Sequence, residues 1–107
     1  MTARALVNVP KAVKQGEVVE IKAMIAHPME TGYRVGPNGT NIPRDIIRRF
    51  ACSYGGEEVF WADLYPAVSA NPFIAFTLVA STSGTIAFTW TDDAGETQTA
   101  SAEITVS

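Results

Sequence analysis

The sequence predicts an all-β sandwich, and three observations carry that prediction. Apolar residues alternate with polar ones in short runs, no window sustains a helical period, and Gly-, Asp- or Ser-containing turn signals separate the runs. An opening strand lies near RALVNV. In the next run, Val19, Ile21, Ala23 and Ile25 share one side and Glu20 and Lys22 the other. Phe50, Cys52 and Tyr54 then share a face with Ala51 and Ser53 opposite, and Gly55-Gly56 makes a hairpin turn into EEVFWADL. Beyond a proline-bounded loop, FIAFTLVA is apolar on both faces, which predicts a central buried strand. STSG turns into TIAFTWT, where Ile86, Phe88 and Trp90 alternate with threonines. DDAG turns into a last strand, ETQTASAEITV, whose tail alternates Ala102, Ile104 and Val106.

These runs amount to about seven antiparallel strands at sandwich spacing, immunoglobulin-like or fibronectin-like in outline. The chain has a single cysteine, so the Cys…Trp…Cys signature of antibody domains is absent. RDIIRRF could form a helical turn, but β-branched Ile46 and Ile47 leading into FACSY favour the entrance to a strand. With no repeat, low-complexity tract or linker, residues 1–107 are expected to be one domain. One region resists the pattern: His27 to Pro43 holds three prolines and three glycines without alternation. A loop of that length in a compact domain is usually functional or mobile.

Composition narrows the function classes. The net charge of −3 is mild and of the wrong sign for nucleic acid, whose partners carry a basic stripe. No stretch approaches the ~18 apolar residues of a membrane span, and MTARALVNVPKAV lacks the h-region and cleavage site of a signal peptide.

Candidate chemistry is sparse. His27, the single histidine, precedes Pro28 and reads either as the end of a strand whose ring bonds a nearby backbone group, or as a copper ligand with Met29, aided by Met24 or Glu30. One histidine and two internal methionines are little material for a metal, and no metal or cofactor is expected. Cys52 sits in mid-strand on the apolar face, the setting of a buried structural thiol and not of a nucleophile. Asp92 and Asp93 stand in a turn, where Asp is favoured for its side-chain-to-backbone bonds. Asp63 ends a strand, and Glu57-Glu58 follow a turn. No nucleophile elbow, phosphate loop or metal-ligand spacing occurs, so no enzyme is expected. The irregular loop mixes apolar and guanidinium groups (Tyr33, Arg34, Ile42, Pro43, Arg44 and Arg48), a composition that suits protein interfaces and equally a solvated loop.

IKAMIAHPMETGYR, IPRDIIRRFACSY, VFWADLYPAVSANPF and FTWTDDAG, in that order, resemble the SoxZ family. The resemblance runs from Ile21 to the C-terminus. It implies an immunoglobulin-like sandwich paired with SoxY, the subunit whose C-terminal Gly-Gly-Cys-Gly-Gly arm carries thiosulfate-derived sulfur to the other sulfur-oxidation enzymes. SoxZ would then supply scaffold and docking surface but no reactive thiol. The resemblance further implies a periplasmic location reached by export together with SoxY. On this view HPMETGYR and IPRDIIRR bracket a partner-binding loop comprising His27, Met29, Glu30, Tyr33, Arg34, Ile42, Arg44 and Arg48.

Overall fold

The computed structural model describes residues 4–107. Among them it places eight strands, β1 (Ala5–Asn8), β2 (Ala12–Val13), β3 (Val18–Ile25), β4 (Ile47–Tyr54), β5 (Glu57–Asp63), β6 (Phe73–Val79), β7 (Gly84–Asp92) and β8 (Thr97–Val106). Two sheets result, ordered β1-β3-β6 and β2-β8-β7-β4-β5. All pairings are antiparallel save the short β2–β8 pair, in which Ala12 lies opposite Thr105. The fold is thus an immunoglobulin-like all-β sandwich, as the alternation predicts.

Alternation decides which residues meet between the sheets. Val19, Ile21, Ala23 and Ile25 of β3 face inward, as do Ile86, Phe88 and Trp90 of β7 and Phe50 and Cys52 of β4. Phe50 is the hub of this core. Its ring lies 5.3 Å from that of Trp90 and 6.1 Å from those of Phe88, Phe60 and Phe76. Phe76 comes from the smaller sheet and stacks on Phe60 of the larger one at 4.3 Å, so the rings bolt the sheets together. The β4–β5 hairpin turns on Gly55 and Gly56, with φ of 61° and 85°, the doubly left-handed backbone of a two-residue type I′ turn. At the same end, the Tyr54 hydroxyl accepts the Ser81 and Thr82 N–H groups and donates to the Thr82 carbonyl, latching β4 onto the β6–β7 turn.

Three features differ from the sequence expectation. An eighth strand, β2, arises because Pro10 has no N–H to continue the ladder of β1, and the chain crosses to the other sheet. β6 is not a central buried strand. It is the edge of the three-stranded sheet, and its outward residues Phe73 and Val79 are 59% and 57% exposed. The loop between β3 and β4 is not structureless either, as described below.

Phe50→Ala is expected to cost about 3–5 kcal/mol in urea unfolding. Trp61→Ala, on the solvent side of β5 where the ring merely carries the Arg49 guanidinium at 4.6 Å, should cost well under half as much. Equal losses would contradict the placement of the core.

Candidate functional site

Residues 26–46 leave the end of β3 and return to the start of β4 as a two-sided arm. Glu30 and Asp45 exchange both backbone hydrogen bonds, at 2.9 and 2.8 Å. Val35 forms an isolated bridge with Asn41, the Ile42 N–H donates to the Arg34 carbonyl, and the Gly36 N–H donates to the Thr40 carbonyl across the tip. Gly32 lets the two sides approach. Its φ is +88°, and a Cβ there would sit 3.1 Å from that of Arg44. The molecule is 59 Å long but 20 × 18 Å across, with a radius of gyration of 16.1 Å. A compact chain of this length would have a radius of about 13 Å. Strands of eight to ten residues account for about 30 Å of length. The arm is the longest described segment outside the sheets.

Its base is pinned to the turn after β7. The Arg44 guanidinium donates twice to the Asp93 carboxylate, both at 2.8 Å, a fork-to-fork geometry that fixes orientation as well as charge. The same carboxylate accepts the Ile46 N–H at 3.1 Å, and the Asp93 N–H donates to the Ile46 carbonyl at 3.0 Å. Partial burial pushes the Asp93 carboxyl up, but the Arg44 pair and the Ile46 N–H outweigh it and hold the group below its ordinary 3.8. Further out, Arg34 pairs with Glu30, whose carboxyl is likewise lowered, first by that hydrogen bond.

His27 and Met29 lie beneath the arm, both buried. The His27 N–H donates to Asn71 Oδ1 at 3.0 Å, and the Asn71 N–H returns a bond to the His27 carbonyl at 2.7 Å. The ring Nδ1 accepts the Met29 N–H at 3.0 Å, and the Met29 sulfur accepts the Ile47 N–H at 3.2 Å. Met29 holds a left-handed φ of 54°, costly for a side chain of its kind, which those bonds and its burial sustain. His27, Asp45 and Asp92 bring potential ligand atoms within 4.8 Å of one another. Neutral imidazole has one lone pair, and here it receives the Met29 N–H. Nε2 therefore carries the hydrogen, 3.9 Å from Asp45 Oδ1, and is a donor. The imidazole lone pair is thus occupied inside the fold, and the Met29 sulfur is buried against the Ile47 N–H. Met24 belongs to the far side of β3, against Leu6 and Phe73.

The expected partner-binding residues therefore divide. Tyr33, Arg34, Arg44 and Arg48 are exposed, and Glu30 and Ile42 partly so. His27 and Met29 are buried, and they shape the arm's base through the bonds just given. Arg44 and Arg48 are engaged within the chain, Arg48 donating to the Asp92 carbonyl at 3.2 Å. Sequence reasoning misses Asp93 and Asn71 as members of this region. Asp93 reads locally as a turn residue and Asn71-Pro72 as a loop, and only the tertiary fold brings them to the arm.

Cys52 is 1% exposed, and burial pushes its thiol up to about 11. Thiolate is scarce at neutral pH in that setting.

A sandwich with a braced, protruding arm and a sealed cysteine defines an all-β scaffold of the immunoglobulin type. The family model described as sulphur oxidation protein SoxZ matches residues 7–103, and the chain belongs to that family. No curated protein matches it significantly. Among solved structures, a superoxide reductase (neelaredoxin) from Ignicoccus hospitalis is similar with a TM-score of 0.75 and 19% identity, over 96% of this chain and 80% of that one. The sulfur carrier protein SoxY from Chlorobium limicola f thiosulfatophilum is similar with a TM-score of 0.68 and 12% identity, over 96% and 78%. At these identities the likeness is one of fold.

The lowered Asp93 carboxyl sets a pH dependence. A depressed folded pKa stabilises at pH above the unfolded value and is lost as pH falls through the folded one. Asp93→Asn should thus be less stable than the wild type at pH 7, with the gap closing as pH drops below 3.8, measured by urea unfolding at several pH values. A gap independent of pH would contradict the clamp.

Proposed function

We propose that the chain is the scaffold subunit of a sulfur carrier complex: it pairs with SoxY, whose C-terminal cysteine arm bears thiosulfate-derived sulfur, and helps present that arm to the sulfur-oxidation enzymes. The observation that carries this reading, within the family assignment, is the state of Cys52. A subunit whose one cysteine is buried between sheets, with its thiol raised to about 11, is built to leave the covalent chemistry to a partner. The role is non-enzymatic and periplasmic, with export alongside SoxY. A sealed thiol also suits an oxidising compartment.

Docking falls to the arm. Tyr33 and Val35 are 79% and 60% exposed on a backbone that its own hydrogen bonds hold in place, so binding through them forfeits little ordering entropy. Aromatic and guanidinium side chains on a preformed projection are the usual anchors of protein interfaces. Tyr33→Ala is expected to leave unfolding within about 0.5 kcal/mol of wild type. It should lower sulfur turnover by the reconstituted carrier about tenfold, a loss of ~1.4 kcal/mol of binding. Unchanged turnover would remove the arm from the docking surface.

The whole reading is tested by native mass spectrometry of the tagged chain, purified from the periplasm of its source grown on thiosulfate. A one-to-one complex with a second small subunit, bearing sulfur adducts on that subunit's cysteine, is expected. A partnerless monomer, or adducts on Cys52 itself, would overturn the proposal.

A further inference from the structure

The two outer faces of the sandwich differ in layout. That of the five-stranded sheet carries threonines over its centre, Thr85, Thr89 and Thr91 of β7 and Thr97 and Thr99 of β8, with Trp61 under the Arg49 guanidinium towards its β5 edge. That of the three-stranded sheet is apolar at both ends. At one end Leu6, Met24 and Phe73 stand side by side across all three strands, Leu6 and Phe73 being 56% and 59% exposed. At the other end Val18 and Val79 face each other across β3 and β6, 65% and 57% exposed. Between these ends lies a single pair of opposite charges, Glu20 and Lys22, 3.3 Å apart on the central strand.

The outward residues of β3 thus read apolar, negative, positive, apolar (Val18, Glu20, Lys22, Met24). Those of β6 alongside read apolar, small, small, apolar (Val79, Thr77, Ala75, Phe73). This layout is nearly the same from either end, apart from the sign of the two charges, and reversing the strand exchanges those signs. A two-fold axis running across the strands beside Ile21, in the plane between two such sheets, would bring Glu20 of each copy to Lys22 of the other. It would also set Met24 and Phe73 of each copy against Val18 and Val79 of the other, with Leu6 at the rim. Self-complementarity of this sort is the requirement of an isologous interface, and aligned sheet packing at about 30° is compatible with the natural twist.

We propose that the outer face of β1-β3-β6 is a two-fold docking surface for a second copy of this chain, its register fixed by reciprocal Glu20–Lys22 pairs. The proposal does not depend on the carrier reading, and it leaves the arm free. Charge reversal tests it by sedimentation velocity on the purified chain alone. The wild type should dimerise. Glu20→Lys and Lys22→Glu each place four like charges at the axis and should raise the dissociation constant at least tenfold. The double variant should recover wild-type dimerisation. The two single variants should form a mixed dimer when combined, because the paired lysines of one would then face the paired glutamates of the other. Both substituted positions are exposed, and urea unfolding of each variant checks that the fold persists. A wild type that stays monomeric at about 1 mM overturns the proposal. So does a dimer indifferent to the single changes or not restored by the double one. Loss of SoxY binding by the single variants, with the chain alone monomeric, would also overturn it and give the face to SoxY.

Discussion

The carboxylate of Asp93 is the point on which the distinctive part of this molecule depends. One side chain accepts three hydrogen bonds, two from the Arg44 guanidinium and one from the Ile46 N–H, while its own backbone closes a fourth with the Ile46 carbonyl. The turn after β7 is thereby fastened to the returning side of the arm, and through Asp45 to Glu30 on the outgoing side. A bidentate charged pair at a partly shielded site resists rotation in a way that a single surface ion pair does not. The arm's position relative to the sandwich follows from this arrangement, supported from beneath by His27, Met29 and Asn71.

Rigidity at the base and exposure further out are complementary. The Phe50-centred core supplies an immobile platform and seals Cys52 away from solvent. The arm then projects side chains whose geometry is set before any partner arrives. The proposed carrier role would use this division of labour. Burial suppresses reactivity at Cys52, and the arm holds its exposed side chains on a backbone fixed by its own hydrogen bonds.

Much of the sandwich is legible in the sequence because a sheet buried on one face stamps a period of two on its residues. β3, β4, β7 and the tail of β8 are cases in point, and Gly55-Gly56 announces its turn. β6 misleads because an outward face rich in apolar groups looks the same in sequence whether the chain itself covers it or leaves it open. β2 leaves no pattern at all, being two residues long and dictated by where Pro10 breaks β1. The arm is legible as an exception but not as a structure, since its bridges are isolated and its register depends on Gly32 and on contacts far along the chain. For His27, the reading as a strand-end residue whose ring bonds the backbone matches the observed Met29 N–H contact. The dual role of the Asp92-Asp93 pair is hidden. Asp92 caps its own turn by accepting the Glu96 N–H, as local chemistry suggests, whereas the partner of Asp93 lies 49 residues away.

Amide hydrogen exchange on the isolated chain tests most directly whether the arm is preformed and held by Asp93. The amides of Glu30, Gly36, Ile42 and Asp45 donate the hydrogen bonds that define it. They should exchange more slowly than unprotected amides in the wild type, and lose that protection in Asp93→Ala while the amides of β3 and β7 keep theirs. Exchange of those four amides at unprotected rates in the wild type would contradict a preformed arm. Protection unaltered by Asp93→Ala would show that something other than this carboxylate holds it.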